Sequence, residues 1–175
     1  MPILGIVDSS RRTGDTGAMI PLQVLTVGAT SVSSITFSNI PSTYAHLQLR
    51  CFNNGGVGTV IFNNDSGSNY SRHYLWGEGV TVLSGANTSV TGMGIIDYTG
   101  TSGIFSVNIV DILDYANTNK YKTVKSFSGT DTNGSGSVLL YSGLWQSTNA
   151  INTITISGGT ATQYSSFALY GVKSA

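Results

Sequence analysis

Two carboxylates, Asp111 and Asp114, stand three residues apart in a polar stretch, residues 110–125, that also carries three of the chain's four lysines. Paired carboxylates at a suitable separation can perform general acid and base chemistry. They can also serve local structure, where one accepts hydrogen bonds in a turn and the other pairs with a nearby lysine. We favour the second role, with Lys120 or Lys122 as the ion-pair partner.

The chain has two histidines, His46 and His73, so a nucleophile activated by histidine would have to use one of them. No Gly-x-Ser-x-Gly segment stands out after a predicted strand, where a hydrolase would place its nucleophile. His73, next to Arg72 and Tyr74, is expected to be a strand residue with its hydrogen bonds satisfied. We therefore predict no catalytic residues and no enzymatic activity, and a hydrolase is the least favoured alternative.

One oxygen-rich loop could hold a calcium ion, and its candidate ligands are Asn63, Asn64, Asp65, Ser68 and Asn69. Calcium sites usually gather several carboxylates. This loop has one, so an Asx turn is the favoured interpretation. No Cys and His cluster suits zinc, and no lysine follows the Gly-rich segments as a phosphate loop requires. We predict neither a metal nor a cofactor.

The two tryptophans, Trp76 and Trp145, raise the possibility of carbohydrate binding, because flat aromatic rings with amide neighbours suit sugars. Aromatic side chains also supply the largest apolar areas for a protein core. Core positions for both tryptophans are the favoured alternative. A carbohydrate-binding module therefore stays open as a further class of function.

The charge content limits the range of partners. Charged residues make up 9% of the chain and the formal net charge is zero, which offers no electrostatic attraction to nucleic acid or to an anionic membrane. No apolar run reaches the length of a membrane span, and no basic residue precedes the short apolar patch near Met1, so we expect a soluble protein without a secretion signal. A charge-poor surface suits a member of an assembly.

Short apolar and β-branched segments recur about every ten residues and alternate with turns, which predicts an all-β fold. The favoured architecture is an antiparallel β-sandwich, jelly-roll-like, in one domain over residues 21–175. The predicted strands are residues 22–27, 32–37, 47–52, 59–62, 74–76, 80–83, 93–98, 104–112, 121–127, 138–141, 151–156 and 167–172.

Alternation within these segments predicts which side chains form the core. The predicted core residues are Leu47, Leu49, Phe105, Val107, Ile109, Ile154, Ile156, Phe167 and Leu169. Cys51 continues the alternation of Leu47 and Leu49, so we expect a small buried residue, and a single cysteine cannot form an internal disulfide.

The polar stretch 110–125 lies between two such segments and is predicted to be strand, connector, strand. Asn117, Thr118 and Asn119 favour turns because their side chains compete for backbone hydrogen bonds. A helix is the alternative, since no Gly or Pro interrupts this stretch and five of its residues fall near helical spacing: Val110, Leu113, Asn117, Tyr121 and Val124.

Residues 1–20 differ from the rest and are predicted to form an attachment arm. Its binding residues are expected to be the four aliphatic side chains and the adjacent basic pair: Ile3, Leu4, Ile6, Val7, Arg11 and Arg12. Burial of the aliphatic side chains could offset the cost of ordering the segment, and the arginines could pair with acids on the partner. An arm folded back on its own domain is the open alternative.

Five stretches resemble small structural proteins encoded by tailed bacteriophages. They are ITFSNIPSTYAHLQLR at residues 35–50, FNNDSGSNY at 62–70, DILDYANTNKYKTV at 111–124, SGLW at 142–145 and FALYGVK at 167–173. The arm, with LGIVDSS at residues 4–10, is similar to the amino-terminal tag of phage tail-fibre-like proteins, except that Asp8 stands where a small residue is commoner. The resemblance implies a multimeric β-sandwich virion protein on the tail or the capsid surface.

The resemblance also sets the expected function and partners. We expect a small tail appendage, a tail fibre or baseplate-associated protein, anchored by its arm, with its sandwich as a candidate for contact with host surface glycans. A capsid decoration protein that cements the shell is the main alternative. The expected partners are other virion proteins and copies of the chain itself, as a homotrimer through the sides of the sandwich, in a virion assembled in the host cytoplasm.

Overall fold

The computed structural model describes residues 17–174. Its strands are β1 Met19–Thr26, β2 Ile35–Phe37, β3 His46–Asn53, β4 Thr59–Phe62, β5 Tyr70–Glu78, β6 Thr81–Val90, β7 Met93–Gly94, β8 Ser106–Leu113, β9 Lys122–Asp131, β10 Gly136–Trp145, β11 Ile154–Ser157 and β12 Ser166–Val172. No helix occurs among these residues, so none is available there to cross a membrane. The all-β prediction is confirmed.

The strands form two antiparallel sheets that pack into a sandwich. The larger sheet has the strand order β1-β12-β3-β8-β9-β10-β5-β6, and the smaller has the order β2-β11-β4-β7. Buried side chains from both sheets belong to one hydrophobic cluster. Such packing is what alternating strands require, since each sheet has an apolar face to cover. The predicted β-sandwich is therefore confirmed.

The smaller sheet shows this alternation clearly. Ile35 and Phe37 of β2 and Ile154 and Ile156 of β11 are buried. Thr36 points outward between the two buried β2 residues. Because β-branched and aromatic residues fit a half-buried pleated surface, this short sheet covers the inner face of the larger sheet with apolar side chains.

The two edges of the larger sheet differ. β1 contains Pro21 and a register irregularity between Pro21 and Gln23, both of which hinder pairing with a further strand. β6 is ten residues long, is exposed along nearly its whole length, and contains neither a charged residue nor a proline. Natural sheet edges are usually protected by such residues. The β6 edge is therefore open to pairing.

β3 and β12 show the expected division between core and solvent. Leu47, Leu49 and Cys51 of β3 are buried, together with Phe167 and Leu169 of β12. Burial raises the pKa of the Cys51 thiol and keeps it in its neutral form. The core positions predicted for these residues, and for Ile154 and Ile156, are confirmed.

β8 has the opposite orientation from the one predicted. Val107 and Ile109 lie on the outer face of the sheet, 50% and 37% exposed, and Phe105 is half-buried before the strand begins. Their predicted core positions are wrong. Ser106, Asn108, Val110 and Ile112 point inward instead. Apolar side chains occupy both faces of β8, so hydrophobicity alone selected the wrong alternation.

The polar stretch 110–125 forms a strand, a connector and a strand, as predicted, and the helical alternative is wrong. Lys122 is fully buried at the start of β9. Its ammonium group donates to the backbone carbonyls of Asn117, Lys120 and Thr148 at 2.6, 3.0 and 3.2 Å. Burial, followed by the charge of Lys120, lowers the pKa of Lys122. This buried cation ties the connector to the following loop.

The binding residues predicted for the arm, Ile3, Leu4, Ile6, Val7, Arg11 and Arg12, lie outside the described residues. β1 begins at Met19, and Met19 pairs with Val172 of β12. The last two residues of the predicted arm, Met19 and Ile20, are therefore part of the sandwich.

Candidate functional site

The outer face of the larger sheet carries two apolar rows. Ile109, Phe127, Leu140 and Leu75 stand opposite one another on β8, β9, β10 and β5. A second row runs through Phe52, Val107, Val138 and Val82, with Gly129 and Gly77 between them. We call these eight apolar residues the outer apolar face: Phe52, Leu75, Val82, Val107, Ile109, Phe127, Val138 and Leu140.

Every side chain of the outer apolar face is at least 37% exposed, and Val82 reaches 72%. Phe52 also stacks on Phe105, with ring centroids 4.8 Å apart and planes 12° apart. If each residue exposes about half of a total area on the order of 150–200 Å², the face presents roughly 700 Å² of apolar surface. The largest apolar patch on a typical monomer is about 300–600 Å². The outer apolar face is therefore larger than the apolar patch of a typical monomer, and a surface of this size indicates an interaction site.

The inner side of the same strands carries polar groups among its buried apolar side chains. Asn108 is fully buried, and its amide nitrogen donates to Asn53 Oδ1 at 2.9 Å and to the Asp97 carbonyl at 3.1 Å. Its amide oxygen accepts from the Asp97 backbone N–H at 2.7 Å. The Asp97 carboxylate Oδ2 accepts from Thr130 Oγ1 at 2.8 Å and from Ser137 Oγ at 2.9 Å. These bonds fix the segment around Asp97 above β8, β9 and β10.

Three polar atoms near this network are buried among the described residues without a hydrogen-bond partner. They are the indole N–H of Trp76 and the hydroxyls of Ser126 and Ser128. Ser128 and Trp76 both stand opposite Leu139, on the two strands that flank β10. Buried polar groups without partners are rare in proteins, and each one calls for an explanation such as a bound water, a ligand or a functional role.

A cleft of about 590 Å³ opens between this polar inner surface and the segment after β7. Its floor includes the buried side chains of Leu139, Tyr141 and Ile96. Its rim includes Glu78 and Tyr98, both exposed. Pockets for small ligands usually measure about 300–1,000 Å³ and combine an apolar body with a few placed polar groups. We call this the inter-sheet cleft.

Arg72 forms one wall of the inter-sheet cleft and is held on several sides. Its Nε donates to Asn87 Oδ1 at 2.9 Å, and its Nη1 donates to the Gly94 carbonyl. Its guanidinium also lies 5.6 and 5.8 Å from the ring centroids of Tyr74 and Tyr141. The cation is thus fixed between aromatic rings. These bonds use two of the five N–H groups of the guanidinium and fix the position of its positive charge at the cleft wall.

The floor of the cleft is a low-dielectric environment with charges close by. Burial, followed by the Asp97 carboxylate, raises the pKa of Tyr141 to about 12, although the nearby Arg72 acts in the opposite direction. Tyr141 therefore stays neutral at physiological pH and can both donate and accept a hydrogen bond.

Gly58 shapes the opposite wall of the inter-sheet cleft. A Cβ on Gly58 would lie 2.7 Å from the Ile96 carbonyl oxygen and 3.1 Å from the Tyr98 ring. A side chain at this position would therefore displace the aromatic ring. Gly58 lets Tyr98, 51% exposed, lie directly against the backbone at the rim of the cleft.

The loop around Asp65 is an Asx turn, as predicted. Asp65 Oδ1 accepts from the backbone N–H of Gly67 at 2.9 Å, Oδ2 accepts from Trp145 Nε1 at 2.7 Å, and Asn69 Nδ2 lies within 3.1 Å of both oxygens. These donors, Trp145 first, lower the pKa of Asp65. Because hydrogen-bond donors surround the Asp65 carboxylate, its role is to stabilise the loop. No group of three His, Cys, Asp or Glu side chains within residues 17–174 is placed to hold a metal.

Trp145 is fully buried, so its predicted core position is confirmed. Trp76 is partly buried, packs against the core and lines the inter-sheet cleft. The two tryptophans, which sequence reasoning treated alike, therefore have different surroundings: Trp145 Nε1 has a carboxylate partner, and Trp76 Nε1 has no partner in the described chain.

The histidines and the paired carboxylates lie apart from the cleft. Asp114 pairs with Lys120, as predicted, and its backbone N–H donates to His46 Nδ1 at 3.0 Å. Asp111 accepts from Gln48 Nε2 at 2.8 Å and pairs with Lys125 at 3.3 Å. The hydrogen bond from Lys120 is the main cause of the lowered pKa of Asp114. The ion pair predicted for one carboxylate is confirmed at Asp114, whereas the turn role predicted for the other is wrong, because Asp111 lies in β8 and its partners are on the neighbouring strands.

Sequence reasoning did not identify Asp97, Glu78 or Tyr98 as site residues. Asp97 follows the apolar pair Ile95 and Ile96 and was predicted to lie within a strand over residues 93–98, whereas β7 ends at Gly94. An acid directly after a buried apolar pair was the available signal. Comparison of the chain with protein-family models, curated proteins and solved structures finds no match.

Proposed function

We propose that this chain is a structural subunit of a bacteriophage virion, a small tail appendage anchored by its amino-terminal arm and associated with further copies of itself through the outer apolar face. The phage context rests on the resemblance of the five stretches within residues 35–173. The outer apolar face is the observation that carries the assembly role, because a sheet surface of this size and composition is stable when another protein covers it.

A second copy of the chain fits this face. A contact buried by one copy would remove roughly 700 Å² from each partner, close to the roughly 800 Å² per partner of a standard specific interface. Charged residues of both signs border the face, since Arg50 stands opposite Ile109, and Asp111 stands opposite Lys125. With a net charge of zero, two copies do not repel each other.

The exposed β6 edge also favours a second copy of the chain as the partner. Val82 belongs both to the outer apolar face and to the uncharged edge strand. A neighbouring copy could therefore cover apolar side chains and approach unpaired backbone groups at once. Two copies packed face to face give a dimer, whereas the predicted homotrimer requires this face to meet a different surface of the next copy.

Light scattering of the full chain at micromolar concentration tests the assembly. We expect an oligomer for the native chain and a monomer for the double variant Phe127→Ser with Leu140→Ser. Tyr121→Ser is the matched control, because Tyr121 is exposed as much as Phe127, 52% against 53%, but lies in the connector before β9. A native chain that remains monomeric would contradict the proposal.

The place in the virion needs a separate experiment. Deleting residues 1–16 leaves β1 intact, so we expect the truncated chain to fold but to be absent from purified particles. Incorporation at the normal copy number would remove the arm as the anchor. The symmetry and copy number of the protein in electron micrographs distinguish a tail appendage from the alternative, a capsid decoration protein.

A further inference from the structure

We infer that the inter-sheet cleft binds a neutral saccharide. The inference concerns the face of the sheet opposite the outer apolar face and does not depend on where the protein sits in a virion. Three features of the cleft carry it: the arrangement of its aromatic rings, the hydrogen-bonding capacity that the protein leaves unused, and the balance of its charges.

The aromatic groups lie where a sugar ring could contact them. Tyr98 is half exposed at the rim and is held against the Gly58 backbone. Trp76 lines the same cleft from β5. The C–H faces of a pyranose are apolar and pack against aromatic rings, while its hydroxyls stay at the edge and need polar partners. Two aromatic residues on different walls match such an amphipathic ring better than a uniformly apolar ligand.

Unused polar groups supply those partners. The indole N–H of Trp76 is a buried donor without an acceptor among the described residues. Glu78 lines the cleft, and within residues 17–174 its carboxylate makes no ion pair or side-chain hydrogen bond. The indole N–H is closed to solvent, so a sugar hydroxyl can accept from it only where the side chains over it move aside, whereas the exposed Glu78 carboxylate can accept from a hydroxyl directly. Thr99 and Thr101 add hydroxyls to the lining, whereas the Thr132 hydroxyl donates to the Ser135 carbonyl at 2.9 Å.

The charges in the cleft favour a neutral ligand. Asp97 and Glu78 are acidic and Arg72 is basic, so the lining carries one excess negative charge. Arg72 already donates to Asn87 and Gly94 and lies over two tyrosine rings. A carboxylated sugar would approach the Asp97 and Glu78 carboxylates, and the single Arg72 cation does not outweigh them. Sialylated and uronic saccharides are therefore disfavoured.

Nuclear magnetic resonance of the full chain tests this site, because its two tryptophans give two indole N–H signals. The probes are maltose, cellobiose and diacetylchitobiose, with sialyllactose as the anionic comparison, each titrated to millimolar concentration. We expect at least one neutral probe to shift the Trp76 indole signal, assigned with Trp76→Phe. The Trp145 signal should stay in place, because that N–H is bound to Asp65.

Calorimetry with the same probes then tests the residues. Tyr98→Ala and Glu78→Gln change exposed positions and should each weaken the affinity about tenfold. Tyr121→Ala, an equally exposed tyrosine outside the cleft, should leave it unchanged, as should the assembly variant Phe127→Ser with Leu140→Ser. The inference is overturned if no neutral probe binds, if sialyllactose alone binds, or if binding survives both cleft substitutions. Loss of assembly with saccharide binding retained would separate this site from the proposed function.

Discussion

The two halves of the larger sheet differ in the side chains that they expose and in those that they bury. On β3 and β12 the inner face is apolar, with Leu49 and Phe167 fully buried, and Gln48 and Arg50 of β3 point away from the core. On β8, β9 and β10 the outer face is apolar, while Asn108, Ser126 and Ser128 are buried inside. The first half follows the ordinary rule for a sandwich in water. The second half departs from it through its apolar outer face and through the polar groups buried among Val110, Leu139 and Tyr141 on its inner face. A partner would be accommodated on the first of these faces and a polar ligand on the second.

The largest expected difference between the halves is in the cost of removing an aliphatic side chain. Leu49→Ala should lower the free energy of unfolding by about 2–5 kcal/mol, because it empties a fully buried site. Ile109→Ala should cost the isolated monomer about 0.5 kcal/mol or less, as expected for an exposed position. Urea unfolding of both variants measures the difference. Equal losses would show that Ile109 is packed as tightly as Leu49 and that the outer face is not free.

The next effect concerns the buried cation at the start of β9. Lys122→Met removes an ammonium group that donates to three carbonyls, and the buried acceptors left behind should lower the free energy of unfolding by about 2–3 kcal/mol. Lys125→Met is the matched control, since its ion pair with Asp111 is on the exposed side and is worth about 1 kcal/mol or less. Thermal unfolding compares them. If Lys125→Met loses as much stability as Lys122→Met, burial does not make the Lys122 cation the more important of the two.

The smallest expected effect shows whether the polar groups buried on the inner face destabilise the isolated protein. Ser128→Ala removes a buried hydroxyl without a partner, so stability should stay equal or rise by up to about 1 kcal/mol. Ser106→Ala removes a hydroxyl that is 2.5 Å from Thr130 Oγ1 and should cost about 1 kcal/mol. Calorimetric melting of the two variants measures opposite signs. A loss for Ser128→Ala would reveal a hydrogen bond to water or to a ligand.

The sequence located the strands well because turn residues separate segments of regular length. It could not choose the inner face of β8. Phe105, Val107 and Ile109 form one apolar set, and Val110 and Ile112 form another, so the local pattern supports two alternations. Asn108 points inward, where its side chain bonds to Asn53, 55 residues away in the chain, and to Asp97, 11 residues away. Such a choice depends on tertiary contacts that no local pattern records.

The inter-sheet cleft could not be predicted from the sequence either. Trp76, Asp97 and Ser137 stand far apart in the chain and meet only because β5 lies beside β10, with the segment after β7 above them. The Asx turn at Asp65 and the ion pair of Asp114 were predictable, because their partners lie within six residues along the chain, apart from Trp145 and His46. Local chemistry was therefore readable, whereas a site assembled by strand order was not.

The position of β12 between β1 and β3 has a consequence for how the chain folds during synthesis. Every other described strand leaves the ribosome before β12 does. Until it arrives, β1 has no neighbour in the sheet, and one edge of β3 is unpaired beside the apolar side chains of Leu47 and Leu49. Pairing so distant in sequence is slow, and unpaired edges invite aggregation. The half of the sheet with the most regular core is thus the half that must wait longest for its last strand.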